Sequence, residues 1–229
     1  RWRVSFSRFL TCLILASFVF ASWSAKPATT FAAEGNPQIG AMASKAIGYL
    51  AAHQNEDGSF SPQTGPAVTA MVLTAAMNHG RTAEDPMIAK GLKYIETFIR
   101  EDGGVYSEES THKNYETCIS LMCFVAANKT HKHQKQVRGA EAFVKGLQFD
   151  AGEGKSKEDM EFGGAGYGRH KRPDLSNTSF FIDALKAAGN DENSQSIQDA
   201  LVFISRCQNL ESENNTSPFP AKNPDGGFY

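Results

Sequence analysis

Gln54-Asn55-Glu56-Asp57-Gly58-Ser59-Phe60 is the stretch on which the fold reading depends. It follows an apolar segment, Ala46-Ile-Gly-Tyr49-Leu, and precedes a charge-free one that begins at Pro66. The same order recurs along the chain. The helix-end aromatic returns at Tyr94, Phe143 and Phe203, with spacings of 45, 49 and 60 residues. Five residues after each aromatic stand Gln54, Ile99, Gln148 and Gln208. Gly-rich turns ending in an aromatic come next: Asp57-Gly-Ser-Phe60, Asp102-Gly-Gly-Val-Tyr106, Gly163-Gly-Ala-Gly-Tyr167 and Asp225-Gly-Gly-Phe228. Gln54, Asp57, Gly58, Phe60, Gln148, Gln208, Asp225, Gly226 and Phe228 are therefore expected to be structural residues of a repeat. A second helix, opening with Thr69, Thr117 or Thr178, follows the first three turns. A period near 50 residues that grows through its loops is the mark of stacked supersecondary units.

The two helix types differ in pattern. In the second copy Ile88, Leu92, Ile95 and Ile99 form one stripe, with Lys90, Lys93, Glu96 and Arg100 off it. Such a helix covers a core on one side. The second helices carry no charge from Pro66 to Asn78 or from Thr117 to Asn128, and a helix that is apolar all round must be surrounded by protein. Two layers satisfy both, with second helices inside and first helices outside. Asn36-Pro37 and Asp85-Pro86 read as helix starts, and Gly80 and Gly189 as left-handed stops. No stretch alternates with period two, so almost no sheet is expected.

This unit resembles the repeat of the terpenoid cyclase and protein prenyltransferase superfamily, in which squalene–hopene cyclases carry the same Gln-to-aromatic element, usually ending in Trp. The resemblance covers about residues 36–229. It implies an all-α fold, an α/α toroid with inner and outer helix layers, in which the Gln ties adjacent hairpins together. Three hairpins are complete and an outer helix over Ser194–Gln208 follows with its turn. The expectation is therefore a partial, open arc with apolar surface at its cut edge.

The family's chemistry can be sought residue by residue. Class II cyclases protonate an alkene with Asp-x-Asp-Asp-Thr-Ala at the start of an inner helix, using a carboxylic acid kept neutral in an apolar cavity. Before Thr178 the chain reads Asp174-Leu-Ser176-Asn177, so Asp174 matches the first acid while Ser176 and Asn177 replace the others. Before Thr117 stand Lys113-Asn114-Tyr115-Glu116, and before Thr69 there is no acid. The Asp-x-Cys zinc motif of prenyltransferases does not occur, and His131 and His133 read as loop residues, so neither a metal nor a cofactor is expected. Gly163 to Thr178 brings glycines, Arg169, His170, Lys171 and Arg172 to a helix start. Arg169, His170, Arg172 and Asp174 are thus the candidate site for an anion or ligand, weighed against solvated basic residues and a helix cap at Asp174.

Arg1, Arg3 and Arg8 precede an uncharged apolar run, Phe9–Phe20, and then small residues. That order reads as a signal peptide over 1–33, too short for a bilayer span, ahead of one repeat domain over 34–229 truncated at its C-terminal end. Export to the periplasm or outside the cell follows as the expected location. The remaining chain holds 19 basic and 25 acidic residues, a net charge of −6 that gives no reason to expect nucleic acid. No stable membrane span is expected after cleavage. Cys118, Cys123 and Cys207 remain, and the first two read as buried small hydrophobes. Two functions stay open. One is an exported repeat protein without the usual acid or zinc chemistry, which holds an apolar, isoprenoid-like ligand or a protein partner. The other is an isoprenoid cyclase or prenyltransferase whose catalytic repeat lies beyond residue 229.

Overall fold

The computed structural model describes residues 37–168 and 172–229, so the expected export signal and the Asn36 cap lie outside the described residues. Helices α1 (Pro37–Ala52), α3 (Pro86–Glu96), α5 (Gln134–Lys145) and α7 (Gln195–Cys207) alternate with α2 (Pro66–Asn78), α4 (Lys113–Ala127) and α6 (Leu175–Ala187), and a short α8 (Pro218–Lys222) follows. Isolated bridges are the only β pairing among the described residues.

Local chemistry sets the ends. Asp85 accepts from the Met87 amide at 3.0 Å ahead of Pro86 at the first helical position. Gly80 and Gly189 take φ of 92° and 99° after α2 and α6. The amides of Gly80 and Arg81 then close onto Met77 and Ala76, and those of Gly189 and Asn190 onto Lys186 and Leu185. These bonds satisfy carbonyls that the helix end would otherwise orphan.

Helix α4 packs against α2 on one side and α6 on the other, and α3, α5 and α7 each pack on the charge-poor helix before them. Leu73, Ile88, Ile95, Leu121, Phe124, Phe181 and Leu185 are fully buried along these contacts. Cys118 and Cys123 are buried free thiols, and burial pushes both well above the usual thiol range.

The Gly turns are the seams between units. Gln54 Nε2 donates to Gly58 O at 2.9 Å and to Met87 O in the first turn of α3 at 3.0 Å. Gln148 repeats this with Gly163 O at 2.9 Å and Ser196 O in α7 at 2.8 Å. Each Gln thus ties the end of one outer helix to its own turn and to the next outer helix. Ile99 cannot do so; there the Arg100 amide reaches Gly104 O at 2.8 Å and its Nε reaches Tyr106 O at 2.9 Å. Gly58, Gly103 and Gly163 have φ of 93°, 87° and 83° and lie against the backbone of the next outer helix. A Cβ on Gly103 would stand 2.6 Å from Gly139 O. Here glycine is required both by its torsion and by its neighbour.

Two sequence expectations change. Thr69, Thr117 and Thr178 do not open their helices but lie about a turn inside them. Their hydroxyls accept from the amides of Phe60, Val105 and Ala165 at 2.9, 3.0 and 2.9 Å. Those bonds show that Val105 and Ala165, not the aromatics Tyr106 and Tyr167, are the equivalents of Phe60. Tyr106 instead donates to Asp102 at 2.5 Å, as Tyr229 does to Asp225 at 2.7 Å.

His133, at the start of α5, is buried against the Phe124 ring with centroids 5.9 Å apart, and its Nδ1 lies 3.5 Å from Glu96. Burial lowers its pKa below 6.5, with Lys132 in the same direction and Glu96 opposing. Above the unfolded value, His133 is neutral in both states and its contribution is complete. As pH falls below 6.5, the unfolded chain binds the proton first and stability is lost. Urea unfolding at pH 7.5 and pH 5 is expected to show this loss, and His133→Phe is expected to reduce it. An unchanged pH slope in the variant would show that His133 does not drive it.

Candidate functional site

The starts of α4 and α6 lie side by side, joined by the Gly163–Gly168 turn. The Asn114 amide donates to Tyr167 O at 3.1 Å, and the Asp174 amide to Ala165 O at 3.2 Å. His112 meets the Tyr167 ring edge-to-face at 4.8 Å. These contacts frame a pocket of about 310 Å³ lined by His112, Tyr167, Arg172 and Asp174.

Of the residues expected at the site, the fold brings Arg172 and Asp174 together; Arg169 and His170 lie outside the described residues. His112 and Tyr167 were missed as site residues. Register carried the signal for His112, which stands five residues before Thr117 as Pro173 stands before Thr178. Asp174 is the N-cap of α6. Its Oδ1 accepts from the Asn177 amide and its Oδ2 from Asn177 Nδ2, both at 2.8 Å. Both oxygens are thus held in their acceptor role, which suits a carboxylate at the positive end of a helix. Ser176 is exposed at the place where the cyclase resemblance puts the proton donor.

In α4 the position comparable to Asn177 holds Glu116, buried, with Oε2 accepting from the Ser107 amide at 2.8 Å and Oε1 from the Ser110 hydroxyl. The Ser110 side chain in turn accepts from the His112 amide at 2.9 Å. Glu116 therefore fixes the 107–112 loop that carries His112. Asn114 and Asn177 are buried beside these groups, and each keeps one side-chain atom without a hydrogen-bond partner among the described residues, Nδ2 and Oδ1 respectively.

A larger, open pocket of about 850 Å³ lies at the C-terminal edge, where Arg206 holds the loop 157–159 and residue 214. The Arg206 guanidinium donates to Asn214 O at 3.1 Å, Asp159 O at 2.6 Å and Lys157 O. Phe219, Phe228 and Tyr229 are exposed here. Among the described residues, no group of three or more His, Cys, Asp or Glu side chains is placed to hold a metal ion. Nor is any described helix long and apolar enough to cross a membrane.

No curated protein and no solved structure gives a significant match to the chain. A family model does: the squalene-hopene cyclase C-terminal domain matches residues 61–228. The match runs through three Gly turns, the inner helices that follow two of them, and the Asp174–Thr178 helix start. With its alternating helices and Gln-tied seams, the chain belongs to the squalene-hopene cyclase C-terminal domain family, whose fold is an α/α toroid.

Proposed function

We propose that the chain is an exported squalene–hopene cyclase-like repeat scaffold that holds a ligand or a partner rather than starting a cyclisation by protonation. The observation that carries this reading is the state of Asp174. Its two oxygens are occupied by Asn177 at 2.8 Å, and the donor position next to it is Ser176. A general acid must instead be a neutral carboxyl with a free proton facing the substrate. The polar pocket of His112, Tyr167, Arg172 and Asp174 suits the anionic or polar end of an otherwise apolar, isoprenoid-like ligand.

Incubating the purified 229-residue chain with squalene and assaying extracts for cyclised triterpene tests this proposal. No product is expected. Product that disappears in Asp174→Ala would overturn the reading. It would favour an isoprenoid cyclase that acts through Asp174 itself; the alternative of a catalytic repeat beyond residue 229 calls for the same assay on a longer chain. Pyrophosphate titrated against the chain and against Arg172→Ala addresses the pocket, and weaker binding to the variant is expected.

A further inference from the structure

From Thr117 to Ala140 the chain contains no acidic residue, and Lys129, Lys132, Lys135 and Arg138 stand within that stretch. All four are exposed, and none lies within ion-pair distance of a carboxylate among the described residues. They surround the start of α5, whose first turn has no acid and whose N-cap, His133, gives no side-chain bond to the free amides. A helix start is the positive end of its dipole, so cations there cost stability instead of supplying it. Other units have the opposite sign at this place: Glu84 and Asp85 precede α3, and Asp191 and Glu192 precede α7. The positive charge is thus particular to the α4–α5 connection and is not a demand of the repeat.

The connection presents these charges from a fixed turn. Asn128 Oδ1 accepts from the His133 amide at 2.8 Å, and Asn128 Nδ2 donates to Gln134 Oε1 at 3.0 Å. His131 takes φ of 60° between Lys129 and Lys132. Lys135 and Arg138, three residues apart, share the outward face of α5. Two carboxylates lie near. Thr82 and its own amide hold the Glu84 carboxyl below the usual range, and Lys132 and Lys129 add to this. Glu96 faces His133 and Gln136. Four cations beside these two acids leave a local positive excess on a chain whose net charge is −2.

The kind of partner follows from what the patch lacks. No Phe, Trp or Tyr occurs from Val125 to Ala142, and the apolar side chains of Val137 and Ala140 are buried. A protein interface is centred on such anchors, and single-stranded nucleic acid needs rings on which its bases stack. Neither of the two pockets described above includes these residues. A spread of exposed cations without groove or anchor suits a plane of negative charge. We propose that Lys129, Lys132, Lys135 and Arg138 dock the chain on the anionic headgroups of a lipid bilayer. The patch follows the end of α4 and the His112–Asp174 pocket lies at its start, about 22 Å away along the helix, so docking leaves that pocket free.

Co-sedimentation of the 229-residue chain with vesicles is the test, on phosphatidylcholine alone and with about 30% phosphatidylglycerol added. Wild type is expected to bind the anionic vesicles more tightly and to lose that preference in about 0.5 M salt. Lys129→Glu/Lys132→Glu is expected to weaken anionic-vesicle binding about tenfold or more, with circular dichroism and binding to neutral vesicles unchanged. Lys129→Gln/Lys132→Gln, which halves the charge change, is expected to give an intermediate loss. Lys45→Glu/Lys186→Glu makes the same charge change at exposed positions elsewhere and is expected to cost less than about threefold. Equal losses in the two Glu variants would overturn the proposal, because net charge alone would then set binding. So would a wild type without preference for anionic vesicles, or a preference that no patch substitution weakens. A patch-dependent affinity for a single-stranded oligonucleotide above that for the vesicles would overturn it in favour of nucleic acid.

Discussion

Gly163→Ala is expected to lower the thermal midpoint by roughly 10 °C, through a loss of about 3–5 kcal/mol. Two costs combine. Gly163 has φ of 83°, where a Cβ crowds its own backbone. The new methyl would also fall inside the contact distance of the Asp199 carbonyl of α7, which is backbone and cannot rotate away. The turn would have to move off α7, straining both Gln148 bonds that anchor there. Gly226→Ala is the control. It sits at the equivalent turn position with φ of 73°, but among the described residues no atom lies within 4 Å of the added Cβ. It should cost only the backbone term, about 1 kcal/mol. Thermal unfolding of both variants checks the pair. Equal losses would mean that the closeness of α7 adds nothing to the demand for glycine.

Phe124→Ala is expected to cost about 3–5 kcal/mol, a large part of the stability of an ordinary domain. Phe124 is fully buried on α4, the helix that packs on both α2 and α6, and its ring also covers His133. Truncation removes contacts to several units at once and leaves a cavity that helices tied by Gln seams cannot collapse to fill. Urea unfolding should give a lower midpoint with the slope unchanged. A changed slope would mean that the outer units had uncoupled from the centre. Leu201→Ala on the partly exposed face of α7 should cost far less.

Much of the fold was legible because its signals are local. The uncharged run from Pro66 to Asn78 became α2 with those same bounds, since Pro66 starts it and Gly80 ends it. The Gln positions were legible because one offset recurs along the chain. The aromatic step was misplaced in two copies. Tyr106 and Tyr167 attract attention, yet the equivalent places belong to Val105 and Ala165, marked by a backbone amide that bonds a Thr hydroxyl. A backbone amide leaves no mark in the sequence, whereas the large side chain beside it does.

The site divides in the same way. Asp174 was legible as a helix cap because Asn177 and Thr178 follow it within one turn. His112 belongs to another unit, and the path from it to Arg172 runs through the whole of α4 and α5. Only packing of α4 against α6 brings the two residues to one pocket.

The repeat, the helix type of each segment and the replacement of acids by Ser176 and Asn177 follow from residue order, because each depends on neighbours within a turn or on a recurring spacing. The pairing of Gln148 with α7, the closeness of Gly163 to Asp199 and the burial of His133 do not. Each depends on which surface lies opposite, and that is settled when separate units stack and their backbones approach to within contact distance.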